Sequence, residues 1–363
     1  MKQKYLFVLI AIMLLITPTK VSASTSSASS YVLMDMNTNR VLASKNAHNS
    51  KLIASISKIM TCILAIENKN LDDIVVVDET INEAHGSGIY IEVGEEITLR
   101  DLLYGLMLRS GNDAAVMIAK YVAGSTEDFV TMMNEKAKEL GMTNTTFNNP
   151  SGLDDDNTEG NYSSCYDMAL LTSYAMQNED YRTITKTKKH IVKTNKKTYS
   201  WTNKNKLLSY DYITGGKTGY TKNAGRTLVS TAHVDDMDLV VVTIRDGDDW
   251  NTHKELYEYA ENNYESYKVL NKENYQVFGD TYYNGNLYIK EDVYVTLKED
   301  ETGNLISHVK LTKLKNYQNN EEVGVNEIYL DDKLLTTTKI YVHKNQEEEK
   351  KSFWETIFSW FKL

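Results

Sequence analysis

Apolar and polar positions follow two rhythms along this chain, and the change between them divides it. From Ser55 to Asn68, Ile56, Ile59, Met60, Ile63 and Leu64 recur at three- and four-residue intervals. That spacing keeps one face apolar and predicts a buried helix. Leu99–Leu108 and Ala114–Val122 predict two more, the first opened by Thr98 and Asp101 as an approximate capping box. Ser125 with Asp128 starts a helix that carries Phe129, Met132, Met133 and Leu140 and ends at Gly141, and another runs from about Cys165 to Met176.

Two-residue alternation predicts strands elsewhere. Tyr31–Met36 and Arg40–Ala43, joined by Asn37-Thr38-Asn39, read as a hairpin. Lys217–Tyr220, Arg226–Ala232 and Leu239–Ile244 read as successive strands, closed by a helix over Trp250–Tyr264. Arg182–Lys206, rich in Lys, Thr and Asn, reads as an exposed hairpin whose charges form a solvated face. Strands drawn from both ends of residues 31–264, with helices between them, imply an α+β domain in which an antiparallel sheet is flanked by helices. From Tyr275 to Val342 only short alternating segments remain, with turns at Asn284-Gly285-Asn286 and Asp331-Asp332-Lys333, so residues 265–345 are assigned to a small all-β domain.

The two ends differ from both domains. Lys2 and Lys4, the apolar run Tyr5–Ile16 and Val21-Ser22-Ala23 predict a signal peptide over residues 1–23, followed by a flexible N-terminus over 24–30. The apolar run is twelve residues, well short of the roughly 20 that cross a bilayer. Residues 346–363 predict an amphipathic C-terminal helix with Phe353, Trp354, Ile357, Phe358, Trp360 and Phe361 on one broad face. It is too short to span a membrane and suited to lie on a membrane surface.

Composition narrows the partners. A formal net charge of -10 over 363 residues excludes a general nucleic-acid binder, which needs surplus cations to neutralise phosphates. Only Cys62 and Cys165 occur, so no disulfide framework staples the chain, and Cys62 falls on the apolar side of its helix as a small hydrophobe. The seven histidines include no pair at ligand spacing, and neither metal nor cofactor is expected.

The candidate chemistry starts at Ser55-Ile56-Ser57-Lys58. Serine is a weak nucleophile until a base takes its proton, and a lysine three residues on along a helix returns its amine to the hydroxyl. Such a lysine must be neutral, which burial or a neighbouring cation such as Lys217 can arrange. The spacing alone is weak, because Ser307-His308-Val309-Lys310 and Ser359-Trp360-Phe361-Lys362 repeat it; only Ser55 begins an apolar helix. Ser110-Gly111-Asn112, in a polar break between helices, offers a hydroxyl for proton relay and an amide for a peptide carbonyl. Lys217-Thr218-Gly219, at the start of a predicted strand, offers a cation and a hydroxyl for a carboxylate, and a glycine that lets a substrate backbone approach. Three such elements in this order form the signature of active-site serine enzymes that handle penicillin.

The chain thereby resembles the low-molecular-mass penicillin-binding proteins of the serine D-alanyl-D-alanine carboxypeptidase family. The likeness extends to Ala54–Thr61, Gly94–Thr98, Leu102–Ala115, Asn149–Asp154 and Gly216–Thr221. It implies a penicillin-binding/β-lactamase-like transpeptidase fold and cleavage of the terminal D-alanine from peptidoglycan stem peptides, with β-lactam antibiotics as covalent inhibitors. It further implies that Ser55 forms the acyl-enzyme, Lys58 accepts its proton and Ser110 passes a proton to the leaving amine. Asn112 would bind the substrate amide, and Lys217 with Thr218 the terminal carboxylate. Gly219 and Tyr220 complete the substrate-binding strand, with the backbone N–H groups of Ser55 and Tyr220 as the oxyanion hole. Ile53 and Ser151 stand where the family often has proline and histidine. The implied location is the outer face of the cytoplasmic membrane or the cell-wall space. A β-lactamase would need a further carboxylate to activate water, and no Glu-x-x-Leu-Asn segment lies between Asn112 and Lys217. A catalytically silent wall-binding protein is disfavoured because every chemical residue is present.

Overall fold

The computed structural model describes residues 26–154 and 159–344. The signal peptide, the first residues of the flexible N-terminus and the amphipathic tail predicted from the sequence lie outside them. Five strands form the main sheet: β1 (Ser30–Asp35), β2 (Arg40–Lys45), β3 (Ile213–Thr221), β4 (Gly225–Val234) and β5 (Met237–Ile244). Their order is β2-β1-β5-β4-β3, every pair antiparallel, so β3 is an edge.

Two-residue alternation sorts the strands between two cores. Val32, Met34, Val229, Val240 and Val242 face a large helical cluster, while Tyr31, Leu33, Leu228, Leu239 and Val241 face the opposite side. The helical side is built from α1 (Lys58–Asn68), α2 (Leu99–Tyr104), α3 (Asn112–Ala123), α4 (Thr126–Glu139), α5 (Cys165–Ala175) and α6 (Glu179–Lys186). On the other side α7 (Asp249–Asn263) buries Leu256, Tyr257 and Ala260. Cys62 and Cys165 are both buried and unbonded to each other, each a small core side chain.

The structure corrects several expectations in detail. Ser55 does not sit in an α-helix; Ala54–Ser57 is a 3₁₀ turn that feeds α1 at Lys58. Leu99–Leu108 is not one regular helix, because Gly105–Arg109 widens into a π turn ending at Ser110 in the left-handed conformation. Asn112 begins α3 instead of lying in a loop, and Lys217-Thr218-Gly219 sits inside β3, not at its start. The segment expected as an exposed hairpin begins as α6. Its hairpin, Lys189–Lys193 with Thr198–Thr202, turns Val192, Tyr199 and Trp201 into the core. Alternation there marked a half-buried hairpin, and the abundant lysines masked it.

Beyond α7 come β6 (Glu265–Leu270), β7 (Leu287–Tyr288), β8 (Val293–Leu297), β9 (Leu305–Leu311), β10 (Glu321–Leu330) and β11 (Lys333–Val342). β6 pairs with β8, and a four-stranded sheet has the order β7-β11-β10-β9. Asn284 and Gly285 both have positive φ, the backbone of a tight two-residue turn, and Asp331 supplies another between β10 and β11. This β unit is tied to the main sheet by polar contacts. Arg40 donates to Thr296 O at 2.6 Å and pairs with Glu301 at 2.6 Å, and Thr296 Oγ1 donates to Asp35 at 3.1 Å.

Candidate active site

The sequence places Ser55 in a short strained turn, and the surrounding structure holds it there. Ala54, just before it, has φ 49°, a left-handed backbone that an L side chain adopts only when its neighbours enforce it. Thr227 of β4 donates to Ile53 O at 2.9 Å. A Cβ on Gly219 would stand 2.4 Å from Thr227 Oγ1 and 2.9 Å from Ser55 N, so glycine is needed for β3 to lie against the turn. Gly152, at φ +78°, presses the other side: a Cβ there would come within 2.0 Å of Ala54 O.

Lys58 is fully buried at the head of α1. Its Nζ lies 3.1 Å from Ser55 Oγ and 2.7 Å from Asn112 Oδ1, with a third contact to Ser151 O. Two of these partners, the Asn112 and Ser151 oxygens, can only accept. A neutral amine satisfies them with its two hydrogens and turns its lone pair to the Ser55 hydroxyl, which is the arrangement a base requires. Burial first, then the charges of Lys217 and Lys204, hold the Lys58 amine well below its ordinary value, against a smaller opposing effect of Asp113. Lys217, also buried, is brought down to about 7 by burial and by Lys204. Ser151, noted as a departure from the family pattern, contributes through its backbone carbonyl, so its side-chain identity leaves that contact untouched.

The second wall comes from α3. Asn112 Nδ2 donates to His85 O at 2.5 Å, and Asn112 N donates to Ser87 O at 2.7 Å. The buried Asp113 accepts from Ile89 N at 2.9 Å and Tyr90 N at 2.6 Å. These bonds fasten the His85–Tyr90 loop to the helix and bring Ser87 to the rim. Ser110, at φ 63°, lines the same space.

The third wall is the outer edge of β3. Asn205 covers Gly215 O at 3.2 Å, and Thr185 bonds both Gly216 N and Gly216 O, at 2.9 and 3.0 Å. The edge is thus capped by side chains up to Gly216, and the following residues border the cavity. An extended peptide can add there as a further strand.

Ser55, Ser110, Thr218, Gly219 and Tyr220 line one cavity of about 350 Å³, with Lys58, Asn112 and Lys217 buried behind it. All eight residues singled out in the sequence are therefore gathered in one place. Sequence reasoning missed Ser87, Lys204, Arg226, Asp249 and Trp250, which also line the cavity. The one signal available was the strand pattern itself, since Arg226 pairs with Tyr220 across β4 and β3.

A family model described as D-alanyl-D-alanine carboxypeptidase matches residues 17–248, and one described as the C-terminal domain of penicillin-binding protein 5 matches residues 264–348. The D-alanyl-D-alanine carboxypeptidase DacF of Bacillus subtilis is 39% identical over 222 residues, covering 59% of this chain and 56% of that protein. DacC of Escherichia coli, of the same description, is 36% identical over 246 residues, covering 62% of this chain and 58% of that protein. The chain thus spans little more than half the length of these two relatives. The crystal structure of penicillin binding protein 5 from Haemophilus influenzae superposes with a TM-score of 0.71 at 26% identity, over 91% of this chain and 99% of that one.

Proposed function

Because the chain belongs to the D-alanyl-D-alanine carboxypeptidase family, we propose that it removes the terminal D-alanine from peptidoglycan stem pentapeptides through an acyl-enzyme on Ser55. The observation that carries this is the hydrogen-bonded set Ser55–Lys58–Asn112, opening on a cavity between Ser110 and the β3 edge. Neutral Lys58 takes the Ser55 proton as Oγ attacks the carbonyl of the penultimate D-alanine. The backbone N–H groups of Ser55 and Tyr220 receive the oxyanion. Ser110 hands its proton to the leaving amine and is reprotonated by Lys58, which returns to its neutral form as the C–N bond breaks and free D-alanine departs. Water then cleaves the ester, its hydroxyl going to the acyl carbon and its proton restoring Ser55 Oγ. Asn112 keeps one amide hydrogen for the substrate carbonyl. Thr218 meets the terminal carboxylate, with the Lys217 charge beneath it and Gly219 giving the peptide access. β-Lactams acylate the same serine.

The test is mass spectrometry of the protein with a stem pentapeptide and, separately, with penicillin. The expected result is a peptide shortened by one D-alanine and a single penicillin adduct on the peptide containing Ser55. An adduct elsewhere, or neither product, overturns the reading.

The N-terminal pattern supports export with residues 1–23 removed, and the aromatic face of residues 346–363 supports attachment to the outer surface of the cytoplasmic membrane. Vesicles of anionic phospholipid are expected to pull down the mature chain and to leave a version ending at residue 345 in solution; equal recovery of both would refute the attachment.

A further inference from the structure

We propose that Arg226, held in place by Asp249, receives the carboxylate at the C-terminus of the substrate peptide; this rests on the carboxypeptidase reading above.

The register of the sheet brings Arg226 to the cavity. It pairs with Tyr220, and the next same-face pair along the two strands is Leu228 with Thr218, so Arg226, Tyr220 and Thr218 share one face of the sheet edge. Arg226, Tyr220 and Thr218 all line the cavity that holds Ser55. The guanidinium is already oriented. Nε and Nη2 of Arg226 donate to the two oxygens of Asp249, at 3.1 and 2.5 Å, and the group lies 5.4 Å from the centre of the Trp250 ring.

This pairing is lopsided. The Asp249 side chain is 4% exposed, at the first residue of α7, whereas that of Arg226 is 41% exposed. Nη1 has no hydrogen bond among the described residues. Asp249 therefore engages one edge of the fork and leaves the other toward the cavity, with donors spaced to take a second carboxylate. An ion pair made only for stability would gain little at such a half-exposed position.

The other cations fit this role less well. Lys217 is 1% exposed, and its amine donates to Thr218 O at 2.6 Å, so its charge acts from within the protein. Lys204 lines the cavity from the opposite wall, where its backbone N–H donates to Leu108 O at 3.1 Å beside the turn that carries Ser110. Arg226 is the cavity-lining cation that shares a sheet face with Thr218. Asp249 is a positioning residue that acts through it.

The experiment compares diacetyl-L-lysyl-D-alanyl-D-alanine with the same peptide ending in a carboxamide, for the unmodified protein and for Arg226→Gln, Asp249→Asn and Lys204→Met. The unmodified protein is expected to favour the acid strongly. Arg226→Gln should lower kcat/KM for the acid by about 10- to 100-fold, the worth of a charge-assisted hydrogen bond, and affect the amide far less, so that the preference collapses. Asp249→Asn should lower the preference several-fold, and it decides the matter if Arg226→Gln does not fold. Cleavage of neither peptide by the unmodified protein would sink the carboxypeptidase reading itself. A normal preference retained by Arg226→Gln, or one lost in Lys204→Met instead, would overturn the role of Arg226 and leave that reading standing.

Discussion

Ser55→Ala is expected to give a folded protein that releases no D-alanine and takes no label from a fluorescent penicillin. Loss of the nucleophile in a serine peptidase costs on the order of 10⁴-fold or more in turnover, since no other group can form the acyl-enzyme. Here the other hydroxyls nearby belong to residues in other roles: Ser57 is buried and donates to Ala54 O at 2.8 Å, and Ser110 lines the cavity, where it relays a proton in the proposed mechanism. The fold should be nearly indifferent to the change. Among the described residues the Ser55 hydroxyl has only Lys58 at 3.1 Å and a long contact to Ser151 O at 3.4 Å, so its removal costs about 1 kcal/mol or less. A thermal unfolding curve checks that half of the expectation. Penicillin labelling that persists in the folded variant would refute Ser55 as the nucleophile, whatever happens to peptide hydrolysis.

The part of this site that was legible in the sequence is the part written in local spacing. Ser55 and Lys58 are three residues apart, a spacing that one turn converts into a 3.1 Å contact, although the strained backbone of that turn is held by Thr227, Gly219 and Gly152 from distant segments. The core followed from alternation in the same way, because Val240 and Val242 face one layer and Leu239 and Val241 the other. What escaped depends on pairings between distant segments. Arg226 reads as an ordinary strand residue until β4 is set beside β3, and Asp249, one residue before the predicted helix, gains a role only when α7 brings it to Arg226. Composition misled at Arg182–Lys206, where lysines on the outer face hid the inward Val192, Tyr199 and Trp201. The π turn at Gly105–Arg109 had no sequence signal. It shows only in the way Ser110 is turned back toward the cavity. Strain at Ala54 and Ser110, on either side of the cavity, marks where the fold gives up local preference to aim a functional group.

Lys58→Met and Lys58→Arg are both expected to slow acylation of Ser55 by about 10²- to 10⁴-fold, the usual contribution of a general base. The pair of variants separates two roles. Methionine removes both the charge and the base, whereas arginine keeps a charge and cannot give up its proton at working pH. Equal loss in the two identifies Lys58 as the proton acceptor; recovery in Lys58→Arg would mean that its charge was all that mattered. The pH profile carries the sign of the same claim. The Lys58 amine is held well below 10.5 by burial and by Lys217 and Lys204, so acylation should rise with pH through that lowered value. Removing the Lys204 charge in Lys204→Met relieves repulsion and lets Lys58 hold its proton more tightly, which moves the rising limb to higher pH. Stability should follow the linked course. Between the lowered folded value and 10.5 the unfolded chain binds more protons at this site than the folded one, so the Lys58 contribution to stability increases with pH across that window. A rising limb that stays in place in Lys204→Met would show that the observed titration belongs to another group, and Lys58 would lose its place as the base.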